Sequence, residues 1–274
     1  MNEKPLTKTE IFNLLKKISI TNLESEKIEL SMAEGRILSS DVISAINLPP
    51  FNNSAVDGYA IQDNNLNDFN KLKCIQRVAA GDQKEILLEK NEVARIFTGA
   101  RIPVNCNTVV MQENVIIDGN YIFMSKIPQL GENCRLLGED ISKGDMVFKS
   151  GQKIDSTNFN LIAAIGKRYV EVRKKIKIGY FTSGNELKEP SEKLQGSEIN
   201  NSNRYSLHSL LKNSYIDSYY LGVLKDSKEK IIESFTKNIN DYNVLITTGG
   251  ASVGEEDHLI DVIKDKGKIF FWKT

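Results

Sequence analysis

The chain has 274 residues, 40% hydrophobic and 26% charged, with 36 Lys and Arg against 36 Asp and Glu. That length exceeds one ordinary core, so two or more compact units are expected. The balanced charge excludes a global basic field for nucleic acid or an anionic membrane, and no apolar run reaches the length of a membrane span or a signal-peptide core. A cytoplasmic protein without membrane or nucleic-acid partners is expected, and any bound anion must be held by local geometry. Cys74, Cys106 and Cys134 never form a C-x-x-C pattern, and His208 and His258 stand fifty residues apart, so neither a disulfide frame nor a His-rich metal centre is expected.

The first predicted element is a helix: Thr7 and Glu10 have the spacing of a capping box, followed by Ile11, Leu14, Leu15 and Ile18 at helical intervals. A short strand, EKIEL, comes next, and Ser31 with Glu34 repeats the capping pattern. From Asn47 the texture changes. LPPFNNSAVDGYAI reads as a loop with two prolines and turn-forming Asn52, Asn53 and Ser54. Runs KLKCIQRVAAG, EVARIFTGA, NTVVMQENVII and NYIFM then read as strands, with Asp118-Gly119 as a hairpin turn. Residues 46–137 are therefore expected to be an inserted β domain. Residues 1–45 form a small helical and strand unit completed by 138–173, where STNFNLIAAIG is a helix stopped at Gly166.

Beyond about residue 174, strands alternate with helices: KIKIGYF, then SNRYSLHSLLKN with Leu207, Leu210 and Leu211 on one face, IDSYYLGVL, DSKEKIIESFTKNI, NVLITTGG, EEDHLIDVIKDKG and KIFFW. This alternation predicts a doubly wound parallel α/β domain over 174–274. The expected fold class is thus α/β plus all-β: the small N-terminal unit, the inserted β domain and an incomplete parallel α/β domain.

Ligands of open parallel sheets gather beyond the carboxyl ends of the strands. Three segments fall there: FTSGNEL with Ser183, Gly184 and Glu186; LKDSKEK with Asp226; and ITTGGASVGEED with Gly249, Gly250, Ser252, Gly254 and Asp257. Glycines between a strand and a helix let backbone N–H groups approach a phosphate, although the string matches neither a P-loop nor G-x-G-x-x-G and also reads as a plain connection. Asp226 reads equally as a helix N-cap, Asp257 as a first-turn acid and Glu186 as a solvated loop residue. Converging in one crevice, the three would form an oxygen-rich site suited to Mg²⁺. In the β domain, Asp57 and Thr98 read as a turn former and a strand-end hydroxyl, and Asp140 as a turn residue.

LPPFNNSAVDGYAI, RIFTGARIP, TVVMQEN, RLLGEDISKGD, SGNELKEP, NSNRYSL and TTGGASVGEEDH occur in this order. Together they resemble the MoeA family of molybdopterin molybdenumtransferases, which includes the E domain of gephyrin. The resemblance runs from about residue 5 to Thr274. It implies an enzyme that binds adenylylated molybdopterin and molybdate, releases AMP and leaves molybdenum on the dithiolene with help from Mg²⁺. It also implies a homodimer, with molybdopterin adenylyltransferase as the upstream partner, and functional roles for Asp57, Thr98, Asp140, Glu186, Asp226 and Asp257. Two readings of other kinds share part of the pattern: the sister adenylyltransferase, which lacks the β domain, and a non-catalytic scaffold on the same fold. The sequence departs from the family at Asn52 and Asn185, where Asp is frequent, and it ends at Thr274, before a lysine-bearing Pro-Gly-Lys-Pro segment of the family. From these departures the 274-residue chain is expected to be a poor catalyst or none.

Overall fold

A computed structural model describes residues 6–17, 23–63, 71–249 and 258–269. In chain order the principal elements are helix α1 (Lys8–Leu15), β1 (Ser25–Glu29), β2 (Gly58–Ile61), β3 (Leu72–Val78), β4 (Glu92–Ile96), β5 (Thr108–Met111), β6 (Val115–Asp118), β7 (Tyr121–Met124) and α2 (Ser156–Ala164). There follow β8 (Tyr169–Arg173), β9 (Ile176–Ser183), α3 (Ser202–Leu210), β10 (Ile216–Leu224), α4 (Lys228–Asn238), β11 (Val244–Thr248) and α5 (His258–Lys266). The chain forms two compact units, one of residues 1–40, 150–156 and 169–274, the other of 41–149 and 157–168.

In the first unit, the capping box of α1 is complete: Glu10 N donates to Thr7 Oγ1 at 3.4 Å, and Thr7 N donates to Glu10 Oε2 at 2.7 Å. Such a box contributes about 1 kcal/mol to a helix that buries no side chain of its own. The second capping pattern is not used that way. Ser31 lies inside a single 3-10 turn, Leu30–Met32, preceded by Glu29, and no α-helix follows. β1 pairs antiparallel with β8, and the buried Arg36 joins them through Glu26 Oε1 (2.5 Å) and the Arg173 carbonyl (2.8 Å).

The α/β sheet has the order β10–β9–β11, all parallel, as the strand–helix alternation predicts. β9 is central, and its middle, Ile178 to Thr182, is buried, which is why IGYF is apolar without alternation. Ile231 of α4 and Leu259 and Val262 of α5 form an apolar cluster with Phe235, whose ring packs against Phe181 of β9. Leu210, placed on the apolar face of α3 by spacing, is 79% exposed, because the helix ends there. Residues 270–272 of the expected strand KIFFW lie outside the described residues.

The second unit is built on one six-stranded sheet in the order β5–β2–β4–β3–β7–β6. Neighbours are antiparallel except the parallel pair β3–β4. Both faces are covered. Ala60, Ala94, Ile96 and Val109 enter one apolar cluster, whereas Tyr59, Ile61, Val93 and Val110 enter another. Period-2 side-chain alternation therefore feeds two cores, which is why GYAI and TVV are apolar without a polar face. The β6–β7 hairpin is present, but Asp118 already pairs with Tyr121, so Gly119 and Asn120 make the turn, with Gly119 at φ +59°.

Gly58 marks the tightest approach in this sheet. A Cβ there would sit 2.0 Å from the Val110 carbonyl oxygen. Gly58→Ala is expected to destabilise by about 1–3 kcal/mol, since backbone must move, whereas Gly131→Asn, on an open turn, should fall within about 0.5 kcal/mol; urea unfolding of both variants checks this. Burial pushes the Cys106 thiol up to about 12 and that of Cys134 to about 11. Both should therefore stay largely unmodified by a thiolate-selective reagent at pH 8 in the native state and react on unfolding, which mass spectrometry reads directly.

Candidate functional site

The strand-end site is set by β9. Its pairing places Ser183 beside Leu224 of β10 and Thr182 beside Thr248 of β11, so the residues that follow each strand leave the sheet at one edge. Asp226 accepts hydrogen bonds from Ser183 Oγ (3.5 Å) and from the Asn185 backbone N–H (3.3 Å). It is not the N-cap of α4. That position belongs to Ser227, whose hydroxyl donates to Glu229 at 2.7 Å, so the Asp226 carboxylate is turned toward the β9 loop.

Gly184 explains why a glycine follows Ser183. Its φ is +142°, and a Cβ there would meet the Glu186 carboxylate at 2.5 Å. Glu186 thus lies against one side of the Ser183–Gly184 turn, and Asp226 bonds to the residues flanking Gly184. At Gly249 a Cβ would come within 3.1 Å of the Ser183 carbonyl oxygen, which brings the third strand end to the same turn. Ser183, Gly184, Glu186, Asp226 and Gly249 are therefore gathered around one point. Gly250, Ser252, Gly254 and Asp257 lie outside the described residues. Among the described residues no group of three or more His, Cys, Asp or Glu side chains forms a metal position.

Beneath this edge is a polar network that the sequence reading missed. Asn201 Nδ2 donates to Thr182 Oγ1 (3.0 Å) and to the Tyr220 hydroxyl (2.9 Å), and those two hydroxyls share a 2.9 Å hydrogen bond. Thr182 and Asn201 are buried, so losing one partner would strand the others at about 1–3 kcal/mol. The Asn201 Oδ1 also accepts from Arg204 N at 3.4 Å, capping α3. The Arg204 guanidinium lies over Tyr220 and pairs with Glu189 at 2.8 Å. The available signal was an Asn immediately before a helix, the usual place for a cap.

In the β unit, Asp57 and Thr98 are brought together although 41 positions separate them. Asp57 Oδ1 accepts from the Thr98 N–H (2.8 Å) and hydroxyl (2.9 Å). These two bonds, backbone first, hold the Asp57 carboxyl below its ordinary range, and the Arg95 charge adds to them. Asp57 is thus an oriented carboxylate, not a mere turn residue. Nothing local in EVARIF marks Arg95, a lone cation there, as a neighbour of this pair. Asp140 is exposed in the 138–143 loop, where its N–H donates to the Leu48 carbonyl (3.0 Å). None of its hydrogen bonds joins it to Asp57 or Thr98. Asn52, one of the departures from the family pattern, accepts from the Leu137 N–H at 2.7 Å and so has a structural task.

Comparison with known proteins divides the chain once in sequence, between residues 166 and 179, and so groups residues 7–40 with the β unit rather than with the α/β sheet. The profile described as the MoeA N-terminal region (domain I and II) matches residues 7–166, and that described as a probable molybdopterin binding domain matches 179–273. The molybdopterin molybdenumtransferase of Haemophilus influenzae is 34% identical over 91% of this chain and 62% of its own length. Those of a Nostoc species and of Staphylococcus epidermidis are each 31% identical, over 94% and 100% of this chain and 60% and 67% of their own lengths. A solved structure of a molybdopterin biosynthesis MoeA protein from Pyrococcus horikoshii superposes with a TM-score of 0.81 at 28% identity, covering 96% of this chain and 67% of that one. The chain spans about three fifths of the length of the first two of these curated relatives.

The Asp57–Thr98 pair gives a test of its own. Thr98→Val removes the hydroxyl donor and keeps the backbone one. The Asp57 pKa should rise part of the way to its ordinary value, read by carbon-detected NMR titration. Because the folded value is depressed, the pair's stabilising contribution is complete above the unfolded pKa and fades as pH falls through the folded one. The Thr98→Val loss of stability should accordingly be present at neutral pH and vanish in acid.

Proposed function

The chain belongs to the MoeA family, and on that premise we propose that it acts in molybdenum cofactor biosynthesis as a molybdopterin molybdenumtransferase, taking adenylylated molybdopterin and molybdate as substrates and releasing AMP. The observation that carries this reading is the convergence of Ser183, Gly184, Glu186, Asp226 and Gly249 at the carboxyl edge of a parallel sheet, the usual ligand position of such sheets. Glycines at this strand end allow close backbone approach, the kind of turn in which N–H groups can meet a phosphate once the Glu186 carboxylate beside Gly184 moves aside. The β unit argues against the sister adenylyltransferase, which has none.

The strand-end donors suit Mg²⁺. They are carboxylate oxygens without His or Cys, and Mg²⁺ keeps several waters and needs only one or two carboxylates from a protein. Glu186 and Asp226 would hold it, with Asp257 as the third candidate. When bound, the ion would offset the repulsion between the anionic substrates and these carboxylates. Ser183 and the Asn185 N–H keep Asp226 aimed at the turn, so its orientation is set before any ligand arrives. We further propose a cytoplasmic homodimer in which Asp57 and Thr98 of one copy serve the strand-end crevice of the other, supplied by molybdopterin adenylyltransferase.

Binding of adenylylated molybdopterin to the purified chain is the direct test. Gly184→Leu should weaken it about tenfold or more by filling the turn and displacing Glu186, while Gly131→Asn should leave it unchanged. Failure of the unmodified chain to bind would overturn the reading. For the dimer, Asp57→Asn and Asp257→Asn chains, both in versions as long as the curated relatives, should when mixed recover part of the AMP release that each lacks alone; a strict failure to complement would leave each copy self-contained.

A further inference from the structure

We propose that Arg95 is the positioning residue of the Asp57–Thr98 pair, holding both of its members from a single guanidinium. The inference rests on the reading of Asp57 and Thr98 as functional groups, and extends it to a residue that touches neither side chain.

The register of the sheet puts Arg95 where it can act in this way. β2 and β4 are antiparallel neighbours, with Gly58 opposite Ile96 and Tyr59 opposite Arg95. Asp57 therefore enters β2 at the level where Thr98 leaves β4, two residues beyond Ile96. The Arg95 side chain lies across Tyr59, with its guanidinium 5.1 Å from that ring centroid and 4.9 Å from that of Phe97. Its Nη1 donates to the Gly58 carbonyl at 3.2 Å, and its Nη2 donates to Gln112 Oε1. The backbone N–H of Gln112 in turn donates to the Asp57 carbonyl at 3.1 Å.

Each of these contacts ends one step from the pair. Gly58 follows Asp57, Gln112 holds the Asp57 carbonyl, and Phe97 precedes Thr98. A guanidinium is suited to this because its rigid fork spans two acceptors while its faces stack on rings, whereas an ammonium is a point charge. The neighbouring charges are few. Arg77 of β3 stacks on Phe97 at 4.3 Å, and Glu113 accepts from Gln112 Nε2 at 3.0 Å. Arg95 is the cation that bears on Asp57 itself, and its charge favours the ionised carboxylate that Thr98 needs as an acceptor.

The test compares Arg95→Lys and Arg95→Gln with the unmodified protein by NMR titration of the Asp57 carboxyl, by the Thr98 amide shift, and, in versions as long as the curated relatives, by the pH profile of AMP release. Arg95→Gln should raise the Asp57 titration, move the acid limb of kcat/KM upward with it, and lower kcat on the order of ten- to a hundredfold with little change in KM. Arg95→Lys restores the charge, so the titration should return close to normal while kcat recovers only in part. An Asp57 titration and a Thr98 amide unmoved by Arg95→Gln would overturn the proposal. If that variant does not fold, Arg95→Lys decides: an unmoved amide with full kcat overturns it as well. Absence of AMP release from an unmodified version as long as the curated relatives would count against the enzymatic reading and leave the NMR comparison valid, so the two failures are distinguishable.

Discussion

The parallel pairing of β9 between β10 and β11 is the constraint on which the strand-end site depends. Parallel neighbours run in one direction, so whatever follows each strand must emerge at the same edge. With Ser183 level with Leu224, and Thr182 level with Thr248, the positions of Asp226 and Gly249 relative to Ser183 are settled by register before any side chain is considered. The Asn201–Thr182–Tyr220 network then locks that edge from below. Its three members come from two strands and the start of a helix, and all would be left with unmet hydrogen-bonding groups if the strands slipped.

The β unit reaches a comparable result by antiparallel register. Gly58 opposite Ile96 brings a residue before one strand and a residue after another into hydrogen-bond contact. The close approach of Gly58 to the Val110 carbonyl fixes the other side of β2. Asp57 is therefore held at the start of a strand with no freedom to shift sideways, which keeps its Oδ1 on the Thr98 N–H and hydroxyl.

Much of this was readable in the sequence. The strand–helix alternation after residue 174 and the β-rich runs before it specified the sheets, because the apolar periods were strong and the turns carried Gly and Asp. What could not be read was contact between residues far apart in the chain. Nothing local in FTGA or VDGY says that Thr98 meets Asp57, and only the sheet register supplies it. Of the two readings of Asp226, the N-cap is the one that does not hold: Asp226 and Ser227 are adjacent and both are good N-caps, and the structure uses the second. Ser31 failed because a capping box needs a helix to cap, and here a 3-10 turn is already capped at Ala33, followed by Gly35 at φ +73° and the inward-turned Arg36. Arg95 and Asn201 escaped notice because their importance lies in partners 17 to 37 residues away.

The β unit lies, in sequence, between the parts of the first unit, and this has a consequence for synthesis. Lys174 and Arg173 bond to Glu24 and Leu23 across a separation of 150 residues. At typical elongation rates of 5–20 residues per second, the segment around β1 waits roughly 8–30 s for its partner to leave the ribosome. During that interval the β unit, made of contiguous neighbours, has time to fold many times over. The nascent chain is thus expected to carry a finished β unit flanked by an N-terminal arm whose apolar and charged groups are still unmatched. That arm, including the Arg36 that later becomes buried, is the part of the molecule most exposed to chaperones while translation continues.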